Sequence, residues 1–340
     1  MTQIPSSAPN TRDGLVFHWP TVLFIALIHG LALGLAPFFF SWSAVALTLG
    51  LHWLFGSIGI CLGYHRLLSH RSFRVPQGLE YAIALIGVLA FQGGPIFWVA
   101  GHRLHHAYTE DRDRDPYSAQ RGFWWSHMLW LFYQRSTFFD PQQYYRYAPD
   151  LARDPVYRWF DSYGALLQIP LAGLLYLLGG WPFVVYGMLV RSVLLWHSTW
   201  LINSVTHLWG NRPFLCDDNS RNLWWAAILT YGEGWHNNHH AYPQVAPAGW
   251  HWWQIDITWW AIRTLQALGL ARKVVMPPPE RLGHDFRGWD SPLKPLRRLG
   301  SILPTYPHSP GGTQGNSHQS SPIGSNADYN ADYDKESALP

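Results

Sequence analysis

From Gly14 to Tyr64 the chain carries not one Lys, Arg, Asp or Glu. A helix at a water surface needs a polar face, and this stretch has no charged residue to supply one. Within it Thr21–Phe40 and Ala44–Gly63 are each about 20 residues, the length that crosses a hydrocarbon core of about 30 Å. Ala36, Pro37 and the aromatic run Phe38–Trp42 read as an uncharged turn at a membrane interface. A second charge-free block runs from Ser162 to Val190, and Gly179-Gly180-Trp181-Pro182 divides it. The expectation is a second hairpin, Ala165–Leu178 followed by Phe183–Thr206. The competing reading is a set of core helices in a soluble protein. Two hairpins with uncharged turns weigh against it, as does a charged fraction of only 13%, about half the usual share.

The loops carry the orientation. Neither hairpin turn holds a Lys or Arg, whereas Arg66, Arg71, Arg74, Arg103 to Arg158 and Arg263 to Arg298 all fall on the other side. The positive-inside rule therefore places both termini and every large loop in the cytoplasm. Leu79–Ala100 is nearly as apolar as a span, but it lies between histidine clusters that would be separated by the membrane if it crossed. Gln92-Gly93-Gly94-Pro95 also breaks it at mid-length. It is expected to be a membrane-associated helix that does not span. The segmentation is thus a flexible start (1–19), a membrane domain (20–303) and a Ser-, Gly-, Pro- and Asn-rich tail (304–340) expected to be disordered. A net charge of +3, with no basic run, argues against nucleic acid. Two cysteines exclude a disulfide scaffold and a Cys-rich zinc site.

Eight of the 18 histidines fall into three tight clusters: His65 and His70; His102, His105 and His106; His236, His239 and His240. The last two repeat one H-x-x-H-H template, which on a helix aims three imidazoles toward one face. The first pair, at i and i+5, spreads by about 140° on an α-helix, which suits ligands to different ions or a helix end. His18, His29, His52, His127, His197, His251 and His284 are taken as hydrogen-bonded structural residues. Imidazoles without thiolates suit Fe, Zn, Cu or Ni, and eight exceed what one ion coordinates, so two ions are expected. The H-E-x-x-H string of zinc hydrolases is absent, and only one Glu-x-x-His match (Glu233 to His236) argues against the soluble di-iron bundles.

With their flanking strings, Gly63 to Phe73, His102 to Pro116, Thr199 to His207 and Gly232 to His240, these clusters resemble the boxes of the membrane fatty acid desaturases, most of all the delta-9 branch in its bacterial and cyanobacterial acyl-lipid form. The resemblance covers about residues 20–265. It implies an all-α integral membrane fold of four transmembrane helices capped by a cytosolic, histidine-rich di-iron site. It implies two Fe2+ ions, O2 as co-substrate and a cis double bond placed at carbon 9 of a C16 or C18 acyl chain. It implies a multi-pass protein of a bacterial inner membrane or a cyanobacterial plasma or thylakoid membrane. It also adds His207 as a ligand and Asn203 as a group reaching iron through water.

Asp111, Asp113, Asp115 and Glu233 are the expected acceptors for imidazole N–H groups, and Trp98, Trp196, Trp200 and Trp235 are candidates to line an acyl channel. No fused haem domain is expected, since His308-Ser-Pro-Gly-Gly312 is followed by too few residues. Electrons would come from a separate donor, ferredoxin or else a cytochrome-type protein. The acyl carrier is expected to be a glycerolipid, with thioesters as the alternative. Arg71 or Arg74 could meet a phosphate on either. Two competing functions are a related di-iron hydroxylase of alkanes or sterols and a membrane metal transporter or sensor. The Asn-Asn inside the third cluster and the flanking strings favour desaturation. Transporters put polar ligands inside their spans, and here only Arg191 is charged within one.

Overall fold

A computed structural model describes residues 15–135 and 145–278. The tail 304–340, most of the expected N-terminal segment, His284 and His308 lie outside these residues. The chain opens with β1 (Leu15–Phe17). Helix α1 (Trp19–Leu35) follows, capped where the His18 side chain accepts from the Thr21 N–H. Next comes a single helix α2 (Trp42–Ser69), started by Ser41, whose Oγ accepts from Ala44 N. From Leu54 onward α2 is a π-helix, wound with i→i+5 bonds. It therefore runs past the expected end at Gly63 and carries His65 on its own body.

The segment expected as one non-crossing helix is two. Helix α3 (Gln77–Leu89) and helix α4 (Pro95–Tyr108) are separated by a turn at 90–94, with Phe91 at φ 63. Glycine, proline and a left-handed residue break it where the sequence indicated. After α5 (Phe123–His127), strand β2 (Tyr133–Arg135) pairs antiparallel with β1. Helices α6 (Pro149–Arg153) and α7 (Pro155–Tyr163) lead into α8 (Gln168–Val184). Within α8 the backbone turns at Gly179 and Gly180, the latter at φ 64, a conformation open to glycine at little cost. The break falls where the sequence placed the turn of a second hairpin. Past it, a π-helical turn (Val185–Val190) leads into α9 (Arg191–Leu208). Short helices α10 (Trp224–Leu229) and α11 (His236–Ala241) precede α12 (Ile257–Ala267).

Among the described residues, two helical runs, Trp42–Ser69 and Pro155–Leu208 (the latter divided at Gly179 and Gly180), are long and apolar enough to cross a membrane, and α1 is apolar but shorter. In Pro155–Leu208 only 22% of the most apolar window is buried in protein. Leu33, Phe38 and Leu177 are 77%, 83% and 84% exposed. A soluble core helix hides such residues; a lipid-facing one displays them. The chain is membrane-associated.

Helix α3 lies against α2 through glycines. A Cβ at Gly59 would come within 2.8 Å of backbone atoms of Ile86 and Gly87, so only small residues allow the approach. The turn that ends α3 is tied to α9 by three groups. Arg191 Nη1 donates to the Ala90 carbonyl, Trp196 Nε1 to the Phe91 carbonyl, and Gln92 Nε2 to Thr199 Oγ1. Irregular backbone away from water survives where protein partners satisfy it.

Candidate metal centre

Nine imidazoles gather in two groups. Nitrogens of His65, His70, His102, His106 and His239 lie within 4.8 Å of one another, and so do those of His105, His207, His236 and His240. All eight clustered histidines are present, with His207 as the ninth. The geometry corrects two expectations, though for the first pair the other reading, a helix end, holds, since His70 caps α2. His65 and His70 serve the same group, because the π-helical bond from His70 N to the His65 carbonyl stacks one residue over the other. Arg71, at φ 53, then ends the helix.

The second correction concerns the H-x-x-H-H clusters, which do not aim all three rings at one group. His102 and His106 belong to the first while His105 belongs to the second; His236 and His240 belong to the second while His239 belongs to the first. At 100° per residue the i and i+4 members are about 40° apart, with i+3 about 60° away on the other side. Each cluster thus straddles both groups.

Four carboxylates face the outer nitrogens. Glu233 Oε2 lies 2.9 Å from His65 Nδ1, Asp115 Oδ2 3.0 Å from His105 Nδ1, Glu110 Oε1 3.1 Å from His207 Nδ1, and Asp218 Oδ2 2.9 Å from His240 Nδ1. Asp115 and Glu233 stand where the sequence reading put them. Asp111 and Asp113 do not: Asp111 pairs with Arg114, and Asp113 with Arg121. Their places are taken by Glu110 and Asp218. Glu110 reaches His207 because the chain reverses at its left-handed backbone, φ 67.

Behind Glu233, Arg66 bridges to it and to Asp256. Burial pushes the Glu233 carboxyl up, but the Arg66 guanidinium and His65 outweigh it and hold the group down at about 2. Burial, with the neighbouring imidazoles, lowers His70, His102, His106, His236 and His239 well below the usual range, and lowers His105 to about 3. These rings are neutral at pH 7.

A neutral imidazole whose Nδ1–H is taken by a carboxylate turns a bare Nε2 inward. His65 and His239 meet Nε2 to Nε2 at 3.1 Å, as do His207 and His236, and His240 Nε2 has no hydrogen-bond partner. Converging lone pairs repel unless a cation lies among them. The donor set, all nitrogen with no thiolate, fits divalent first-row metals.

A cavity reaches His65, His102, His105 and His236 and is otherwise mostly apolar. Trp98 lines it, with its ring stacked on His102. Trp196, Trp200 and Trp235 are not among the lining residues. Trp196 and Trp200 pack with Ile25, and Trp235 donates to the Ile255 carbonyl. Lining positions the sequence reading missed include Cys61, Leu195, Ile202 and Tyr231. Asn203 lines the cavity too. Asn237 and Asn238 are buried braces for α11: Asn237 Nδ2 donates to the Phe214 carbonyl, and Asn238 Nδ2 to that of Ala248.

Residues 40–273 match the sequence model of a family described as Fatty acid desaturase. Over 277 residues the chain is 66% identical to the sn-2 palmitoyl-lipid 9-desaturase of Nostoc sp. (strain 36), covering 82% of this chain and 97% of that protein. It is 48% identical over 258 residues to the sn-1 stearoyl-lipid 9-desaturase of Anabaena variabilis, covering 76% and 93%. Similarity extends to the chloroplastic palmitoyl-monogalactosyldiacylglycerol delta-7 desaturase of Arabidopsis thaliana, 45% over 266 residues, covering 78% and 71%.

Proposed function

The chain belongs to the fatty acid desaturase family, and on that premise we propose that it places a cis double bond at carbon 9 of a saturated C16 or C18 chain carried on a glycerolipid. The observation that carries the reading is the pair of imidazole groups, five and four, opening on one apolar cavity. Relatives named as lipid 9-desaturases at 66% and 48% identity support the position and the carrier. They also favour desaturation over hydroxylation.

We assign two Fe2+ ions, one to each group, with His65, His70, His102, His106 and His239 holding the first and His105, His207, His236 and His240 the second. Asn203 approaches the site through water. With O2 and two electrons, bound iron supplies the oxidant that an unactivated C–H bond demands; redox-inert zinc would not. The protein's residues do the rest. The carboxylates beside His105, His207 and His240 fix those tautomers so that the inward nitrogen is bare. Trp98, held by Gln92 through its Nε1 at 3.4 Å, forms a rigid wall that fixes which carbon pair stands beside the histidines. The apolar lining excludes water.

In the topology we propose, α1, α2, the helical run 155–178 that ends at the glycine turn of α8 and the remainder through α9 cross the bilayer, with both termini and the histidines on the cytoplasmic side. The electron donor is a separate protein, ferredoxin or a cytochrome-type carrier.

Expression in a host lacking carbon-9 desaturation, with a ferredoxin donor and lipid analysis, tests the reaction. A cis-9 monoene on membrane lipid is the expected product, and a hydroxylated chain or a double bond elsewhere refutes the assignment. The purified chain should hold about two irons. Replacing any of the eight clustered histidines with Ala should abolish turnover, and so should His207→Ala. Asn203→Ala should weaken it about 10–100-fold.

A further inference from the structure

The cavity that reaches the histidines also reaches the outer surface. Leu229 lines it and is itself 50% exposed. The helix that carries it, α10, also exposes Trp224 and Ile228, and α9, which contacts α10, exposes Leu194. Glu233, beside His65, is the only Lys, Arg, Asp or Glu in the lining. An entrance from water is rimmed by charged groups; here the exposed side chains are apolar, on helices that display leucines outward.

Next to the opening, three side chains form a strap. The Ser198 hydroxyl donates its one proton to the Leu194 carbonyl at 2.9 Å, so its oxygen accepts from His52 Nε2, 3.1 Å away. His52 Nδ1 is then bare and accepts from the Tyr231 hydroxyl. The strap joins α2, α9 and the turn ahead of the third cluster, and Tyr231 is held at φ 58, a conformation that costs a non-glycine residue. The Tyr231 ring seats against Gly56, where a Cβ would come within 2.9 Å of it.

We infer that acyl chains enter this cavity sideways from the bilayer, through an apolar doorway between α9 and α10 at Leu229, with Tyr231, His52 and Ser198 as its latch. The inference rests on the glycerolipid reading above. A chain tethered to glycerol then never crosses water, and its headgroup stays at the interface beside Trp224.

The test uses the full chain in dioleoylphosphatidylcholine vesicles with a reduced donor. The substrates, supplied separately, are labelled dipalmitoyl-monogalactosyldiacylglycerol in the bilayer and labelled palmitoyl-coenzyme A in solution. Leu229→Trp should lower kcat/KM on the bilayer lipid at least tenfold with iron content unchanged. Because that variant could misfold, Leu229→Cys in a Cys61→Ala, Cys216→Ser chain is assayed before and after alkylation with N-benzylmaleimide, against the same chain without Leu229→Cys. Closing the doorway after folding should give the same tenfold loss. Tyr231→Phe keeps the ring and opens the latch, so kcat/KM on the lipid should rise at least threefold; a fall removes the latch. Undiminished lipid turnover in the alkylated, iron-loaded protein overturns the doorway while leaving the glycerolipid reading standing. Wild-type turnover of the thioester alone overturns that reading and the doorway with it.

Discussion

Glu110 and Asp218 carry the clearest lesson at the scale of single residues. Each accepts from the outer nitrogen of an imidazole in the four-histidine group, where Asp115 does the same for His105. That group has three such carboxylates among the pairs above; in the five-histidine group Glu233 approaches His65 Nδ1 to 2.9 Å as an ion-pair neighbour, without a hydrogen bond. Removing an acceptor frees a ring to turn and leaves it a poorer donor, typically a 10–100-fold loss of metal affinity. Glu110→Gln and Asp218→Asn should therefore each release iron about 10–100-fold more readily in a chelator competition, with one of the two irons leaving first. Asp113→Asn should hold both as tightly as the wild type, since its carboxylate faces Arg121. Equal retention in all three variants would remove the acceptor role. The acidic run from Glu110 to Asp115 was visible in the sequence, but which members point back was not. That depends on one left-handed residue at the end of α4.

At the scale of elements, the π-helical second half of α2 and the broken pair α3–α4 set the site. An α-helix would have splayed His65 and His70 by about 140°; the wider winding brings them together. The turn at 90–94 then lets α4 start afresh, so that His102, His105 and His106 return to the level of His65. Both arrangements depend on how closely α3 lies on α2. At Gly59 a new methyl would meet backbone of Ile86 and Gly87, which has no side-chain freedom to yield. Gly59→Ala should cost about 1–3 kcal/mol, read as a lower melting temperature in detergent. Gly30→Ala, where a Cβ meets nothing within 4 Å, should melt like the wild type. Equal melting of the two variants would show that the α2–α3 contact does not limit stability.

For the whole molecule the decisive test is topology. Ser72 would be a natural reporter next to the first cluster, but it is fully buried. Gln77, Asp113 and Asp217 are exposed and flank the three clusters. Single cysteines there, in a chain lacking Cys61 and Cys216, should label from one face of sealed vesicles, and cysteines at Phe38 and Trp181 from the other. Labelling of Gln77→Cys and Asp113→Cys from opposite faces would mean that the α3–α4 segment crosses the bilayer, which would defeat both the topology and the shared metal centre.

The sequence by itself determined the apolar blocks, the glycine turn at 179–180, the break near Gly93 and the identity of eight of the nine nitrogen donors, His207 entering only through family resemblance. These follow from local chemistry, namely charge, hydropathy, backbone freedom and ligand type. Tertiary structure decided how nine imidazoles divide into five and four, which carboxylate meets which ring, and which tryptophans face the cavity. His239 joins His65 and His106 while its neighbour His240 joins His207 and His236, a division set by the rotation of α11 about its own axis. Helical spacing gives the angle between neighbouring side chains. Their partners are fixed by contacts far apart in the chain, where a turn of a few tens of degrees exchanges one metal group for the other.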